Sequence, residues 1–272
     1  MKMRKFFAVV FLMMAGIQVI WAQKMILHMS DNQKFEYEIS KIDSITFVEE
    51  EQINGGTHGV LDGHEWVDLG LPSGTLWATC NVGANTPDEY GDYFAWGETT
   101  PKEVYNWSTY KWMNNGMSSW SQVNKYTRAD GQTDGCWYDG YGTFIGDGLT
   151  ELLPEDDAAT VNWGTEWQMP SLDQCKELIN KNYTSLEYVP NNEGWIGFKI
   201  TSKTNGNSIF LPTAGFYKDA NLRSCNIYMS FWSRSTYITN FAYDLFASGI
   251  TGNNWSSDER YHGLSVRPVR KK

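Results

Sequence analysis

Apolar positions recur along this chain with two different periods, and the helical one is concentrated in a single stretch. Leu172, Cys175, Leu178 and Ile179 share one face at helical spacing, while Asp173, Lys176, Glu177 and Lys181 turn away. Ser171 follows Pro170 and stands three residues before Gln174, a capping box in which each side chain covers a free backbone N–H of the other. Asp173 lies in the first turn, where the helix dipole favours negative charge. The pattern predicts an amphipathic helix over residues 171–180, lying on a sheet. A shorter helix is predicted from Pro154, with Glu155, Asp156 and Asp157 at its positive end.

Elsewhere beyond residue 64 the chain reads as short strands and long loops. Two strands flank the turn Leu71-Pro72-Ser73-Gly74, with Trp66, Val67 and Leu69 before it and Leu76, Trp77 and Ala78 after it. Further strands are predicted near 93–96, 197–201, 208–211, 212–217, 231–233, 243–246 and 263–269. Asn205-Gly206 is a strong hairpin signal between two of them. Pro268 confines the last to an edge or an end. Residues 99–150 are irregular and rich in Trp, Tyr, Gly and Asn, and an irregular stretch of that length is usually functional or an insertion. The fold class is α+β.

The N-terminal part divides differently. Residues 1–22 combine a basic start, an apolar run and a small residue before Gln23, which predicts a cleaved secretory signal and an exported chain, in the periplasm, at the cell surface or secreted. The apolar run is short for a membrane span, so no membrane helix is expected after cleavage. Residues 23–50 read as a small three-strand β appendage: Met25, Leu27 and Met29 alternate in one strand, Phe35, Tyr37 and Ile39 in the next, and residues 44–48 form the third. Such a unit is too small to be stable alone, so self-association through residues 24–48 is one expectation. Residues 51–63 read as a charged, Gly-rich linker, and residues 64–272 as the main domain.

Composition narrows the function. Among 272 residues there are 13 Trp, 15 Tyr and 13 Phe, enough for a core and for exposed ligand platforms as well. The net charge of −10 becomes −13 once Lys2, Arg4 and Lys5 leave with the signal. So acidic a chain repels phosphate backbones and anionic lipid, which argues against nucleic-acid partners. His28, His58, His64 and His262 are scattered without zinc-ligand spacing. No nucleophile elbow, P-loop or dinucleotide fingerprint is present. No cofactor is expected, with one opening left: Asp130 and Asp134 occupy positions 1 and 5 of a calcium-like loop whose twelfth residue is Tyr141 rather than Glu.

Several blocks in order carry a resemblance: EWVDLGLPSGTLWATCNVGA, EYGDYFAWGET, PEDDAATVNWG, WQMPSLDQCKEL, KITSKTNGNSIFLPTAGF and YHGLSVRPVR. Together they resemble the Fibrobacter succinogenes major paralogous domain over about residues 65–270. WQMPSLDQ more remotely resembles a helix start of the formylglycine-generating-enzyme group. The resemblance implies a C-type-lectin-like domain in which the first and last strands pair, here residues 76–80 with 265–269. It implies an adhesin or ligand-binding module and brings no activity with it; the paired cysteines that formylglycine generation uses are not found. Relatives often end in Cys where this chain has Arg270, which leaves Cys80 without that partner. The four cysteines allow three connectivities, and Cys136 with Cys225 is the pairing to test first because both lie in loops.

The leading expectation is a non-enzymatic binding or adhesion module for a glycan or a surface protein. Contact would run through the loop aromatics Trp107, Tyr110, Trp112, Trp120, Trp137 and Tyr138. The alternatives are a structural or assembly component of the bacterial cell surface, and an enzyme of the lectin-like group.

Overall fold

The computed structural model describes residues 24–28, 34–41, 57–114, 116–192, 195–249 and 252–271. They fall into two units, the first within residues 1–50 and the second within 51–272. In the first, β1 (Lys24–His28) pairs antiparallel with β2 (Lys34–Glu38), and a single 3-10 turn follows. Ile26, Tyr37 and Ile39 are exposed on it. The third strand expected at 44–48 lies outside the described residues, as does the signal at 1–22.

The second unit begins earlier than expected. β3 (His58–Leu61) falls inside the span read as a linker, and it pairs antiparallel with β4 (His64–Asp68). The turn Asp62-Gly63 between them supplies two residues of positive φ, so a two-residue hairpin forms where composition suggested a flexible spacer. Then follow β5 (Thr75–Ala78), β6 (Tyr93–Phe94), α1 (Ala158–Trp163), α2 (Leu172–Leu178), β7 (Thr184–Asn192), β8 (Trp195–Ser202), β9 (Ser208–Pro212) and β10 (Phe216–Lys218). The chain closes with β11 (Asn221–Arg223), β12 (Tyr228–Ile238), β13 (Phe241–Ser248), β14 (Gly252–Glu259), β15 (Leu264–Ser265) and β16 (Val269–Lys271).

Three sheets carry the unit, ordered β16-β5-β4-β3, β7-β8-β9 and β14-β13-β12-β15-β6, and β10-β11 forms a small hairpin. The described residues are thus mostly β with two helices. An early strand does pair with the last, but over 75–77 with 269–271 rather than 76–80 with 265–269: Trp77 faces Val269 and Leu76 faces Arg270, while Leu264–Ser265 pairs with β6 and β12. Asn205-Gly206 closes β8 onto β9, with Gly206 at φ 78°. Among the described residues no helix is long and apolar enough to cross a membrane.

Strands buried on both faces divide the interior. Trp77, Phe231 and Leu245 join Cys175 and Leu178 of α2 and Phe198, Ile200 and Leu211 of the three-stranded sheet. Their strand neighbours Leu76, Ala78 and Trp232 point the other way, toward Trp96, Ala158, Ala159, Trp163 and Trp167. Both-face burial explains why TLWA shows no alternation and is buried throughout.

α2 begins as the sequence implies, whereas the helix expected from Pro154 is a 3-10 turn over Pro154–Asp156 and α1 starts only at Ala158. Ser171 and Gln174 make the complete capping box on α2. Asp157 caps α1 by accepting from Ala159 N and Thr160 N, and its carboxylate also accepts from Met169 N. Asp156 is turned elsewhere: it takes Lys111, Lys125 and the Tyr126 hydroxyl at 3.1, 2.6 and 2.6 Å.

Candidate functional site

The six loop aromatics do not form one surface. Tyr110 and Trp137 are buried, at 3% and 2% exposure, and the other four are half-buried. The Tyr110 hydroxyl donates to Trp96 O, and Trp107 packs edge-on against Tyr110 and Tyr261. Trp112 donates its indole N–H to Gly97 O, and the Lys111 and Lys125 ammoniums lie 4.2 and 4.4 Å from its ring. Trp120 leans on Trp137 at 6.0 Å, and Tyr138 packs against Phe144 while its hydroxyl accepts from Gly131 N. The physical reason is the scarcity of regular pairing here. Between β6 and α1 the described backbone has isolated bridges and two single 3-10 turns, Trp120–Gln122 and Pro154–Asp156, so the stretch is ordered largely by burying its own rings against the conformational entropy it loses.

The two other sequence-level sites change in the same way. Among the described residues every cysteine is free. The Cys136 thiol rests on Val123 O at 3.2 Å, and burial pushes its pKa up. No bond to Cys225 forms. Asp130 spends its oxygens on Gln132 N, Thr239 N and the Trp137 indole, at 3.1, 2.9 and 3.2 Å. Those donors, with the Thr239 amide first, lower its pKa against the opposing effect of burial. Asp130 is therefore a loop pin, and Asp134 stands exposed apart from it. Among the described residues no group of three or more His, Cys, Asp or Glu side chains is placed to hold a metal ion.

A different set of aromatics is brought to the surface by strand register. Tyr237 of β12, Tyr243 of β13 and Trp255 of β14 stand on one face of three adjacent strands. Their ring centroids are 5.1 and 5.6 Å apart in sequence, and the rings tilt by 51° and 73° to one another. Tyr237 and Trp255 are 43% and 42% exposed, and Tyr243 is half-buried between them. The rest of that face is covered by α2, whose Lys176 ammonium lies 5.2 Å from the Trp255 ring. The ridge is what remains uncovered. It depends on irregularities in β12 between Trp232 and Ile238, which let Tyr237 meet Tyr243.

Beside it, where α2 begins, an open groove of about 190 Å³ is lined by Thr150, Glu151, Ser171, Leu172, Asp173, Ser235 and Thr236. Its chemistry is hydroxyl-rich. Ser235 Oγ donates to Glu151 Oε1 and accepts from Leu172 N, both at 3.1 Å. Its charges are paired: Glu151 with Arg234 at 3.1 Å and Asp173 with Lys176 at 3.7 Å. The volume falls below the roughly 300–1,000 Å³ of pockets that engulf a small molecule. The arrangement suits surface contact with part of a larger ligand.

One acid–imidazole pair lies elsewhere. His262 Nδ1 is 2.7 Å from Asp258, and Nε2 is 3.6 Å from Glu259. Among the described residues nothing hydrogen-bonds to Nε2. Sequence reading missed Tyr237, Tyr243 and Trp255 because they are spread over 237–255 and converge only through strand pairing. A scan of protein-family models finds none that matches the chain, and searches of curated proteins and of solved structures likewise find no match.

Proposed function

We propose that this chain is an exported, non-enzymatic binding or adhesion module of C-type-lectin-like fold that holds a carbohydrate on its surface. The observation that carries the reading is the ridge on which Tyr237 and Trp255 stand exposed, with Tyr243 half-buried between them, beside a hydroxyl-lined groove. Aromatic rings cover the apolar faces of sugars at small entropic cost, and neighbouring Ser, Thr and carboxylate groups meet their hydroxyls. A glycan array read with the exported chain tests this. Bound glycans should lose about tenfold or more in affinity on Trp255→Ala or Tyr237→Ala, roughly 1.4 kcal/mol, and binding should survive EDTA. Loss on Trp112→Ala with Trp255→Ala unchanged would return the site to the loop. Binding abolished by EDTA would reopen the Asp130 loop.

A second reading, an assembly component of the cell surface, is favoured by Ile26, Tyr37 and Ile39 exposed on a two-stranded unit of marginal intrinsic stability. Deleting residues 24–48 should then convert a concentration-dependent oligomer to a monomer in sedimentation velocity, and an unchanged distribution would dismiss it.

A further inference from the structure

The ridge has a shape and a charge, and both restrict what can lie on it. Successive rings are inclined by 51° and 73°, so no common plane runs across Tyr237, Tyr243 and Trp255. A flat ribbon of sugars, with every ring face parallel to the last, can stack on one of these side chains and must lift off the next. A chain whose successive units rotate about its axis can offer each ring a face in turn. The centroid spacings of 5.1 and 5.6 Å are comparable to the length of one sugar unit, so neighbouring aromatics address neighbouring units.

Charge makes the second restriction. The groove carries two carboxylates and each has a cation on it, Arg234 on Glu151 and Lys176 on Asp173. Beyond these pairs the polar lining is hydroxyl. A polyanionic chain would meet compensated charges locally and a strongly acidic protein at longer range. It would also have to break an existing pair to gain a cation.

Resting on the proposed carbohydrate reading, we infer that the ridge takes a neutral glycan whose backbone turns helically, such as a β-1,3- or α-1,4-linked glucan, and discriminates against flat β-1,4 ribbons and against uronic-acid polymers. About three consecutive units contact the protein, one for each ring.

The test is native affinity electrophoresis of the exported chain. The gels contain a soluble β-1,3-glucan, an α-1,4-glucan, a soluble cellulose ether or polygalacturonate. At least one turned neutral glucan should retard the protein about tenfold more strongly than the cellulose ether, with polygalacturonate giving none. Retardation should be flat with added salt, because no net charge is engaged. Tyr237→Ala and Trp255→Ala should each weaken it about tenfold, and both side chains are exposed enough that the fold tolerates their loss. Equal or stronger retardation by the cellulose ether or polygalacturonate overturns this inference and leaves the carbohydrate reading standing. So does a turned glucan that binds without regard to Tyr237. Binding to no glycan in any gel or array overturns both.

Discussion

Replacing Arg260 by Ala should cost about 3–5 kcal/mol of unfolding free energy, among the largest single-residue effects this chain can show. Arg260 is fully buried, and among the described residues no carboxylate hydrogen-bonds to it. Its guanidinium instead donates to the backbone carbonyls of Lys125, Tyr126 and Thr239 and lies 4.4 Å over the Trp96 ring. Burial lowers its pKa, as expected for a cation removed from water. Truncation to Ala strands two buried carbonyls, of Tyr126 and Thr239, and the part-buried one of Lys125, a buried one costing about 1–3 kcal/mol when unsatisfied, and opens a cavity beside Trp96. Arg260→Met refills part of that cavity and removes the desolvated charge, so it should recover a good part of the loss. Guanidinium unfolding of the three proteins at one pH measures this. A cost below about 1 kcal/mol for Arg260→Ala would mean that the residues around 125 and 239 are held by something else.

The second large effect is a pH dependence tied to one carboxyl. Asp244 of β13 is buried and accepts from Ser230 Oγ at 2.8 Å, and among the described residues its Oδ1 has no hydrogen-bond partner. Burial, assisted by the charge of Asp258, raises its pKa from 3.8 to about 7. The folded state thus holds a proton that the unfolded chain releases, so stability falls as pH rises from about 4 and levels off once pH passes 7. At about 1.4 kcal/mol per unit the swing is up to about 4 kcal/mol. Asp244→Asn keeps an acceptor for Ser230 and cannot ionise. Its melts should fall less steeply between pH 4 and pH 8, so that it gains on the parent as pH rises. Asp157, also buried with a raised pKa, is common to both proteins and cancels in the comparison. Parallel pH profiles for the two proteins would show that Asp244 ionises as freely as an exposed acid.

Legibility in the sequence followed the range of the physics involved. The capping box of Ser171 and Gln174 and the Asn205-Gly206 turn are local, and both are where the residues imply. β7 was invisible because Pro190 interrupts its pattern. Its position at the edge of β7-β8-β9 is what permits that proline. β14, GNNWSSDE, has a single apolar residue, and it too is an edge strand, with half of its pairing potential turned outward. The site suffered most. Trp107, Tyr110 and Trp112 are close in sequence and look like a platform, yet they pack into a satellite core with Tyr93, Tyr105 and Tyr261. Tyr237, Tyr243 and Trp255 are separated in sequence and meet through the register of three strands.

The pairing of β5 with β16 also sets a clock. About 190 residues separate Ala78 from Val269, so β5 waits on one side until that much more chain has been made. At the ~5–20 residues per second of synthesis this is roughly 10–40 s. During that interval Trp77 and its neighbours lack Val269, and Gln168 lacks the carbonyl of the same residue. The late strand thus postpones closure of the sheet until residues 269–271 have been made, so the edge of β5 stays unpaired on that side through most of synthesis.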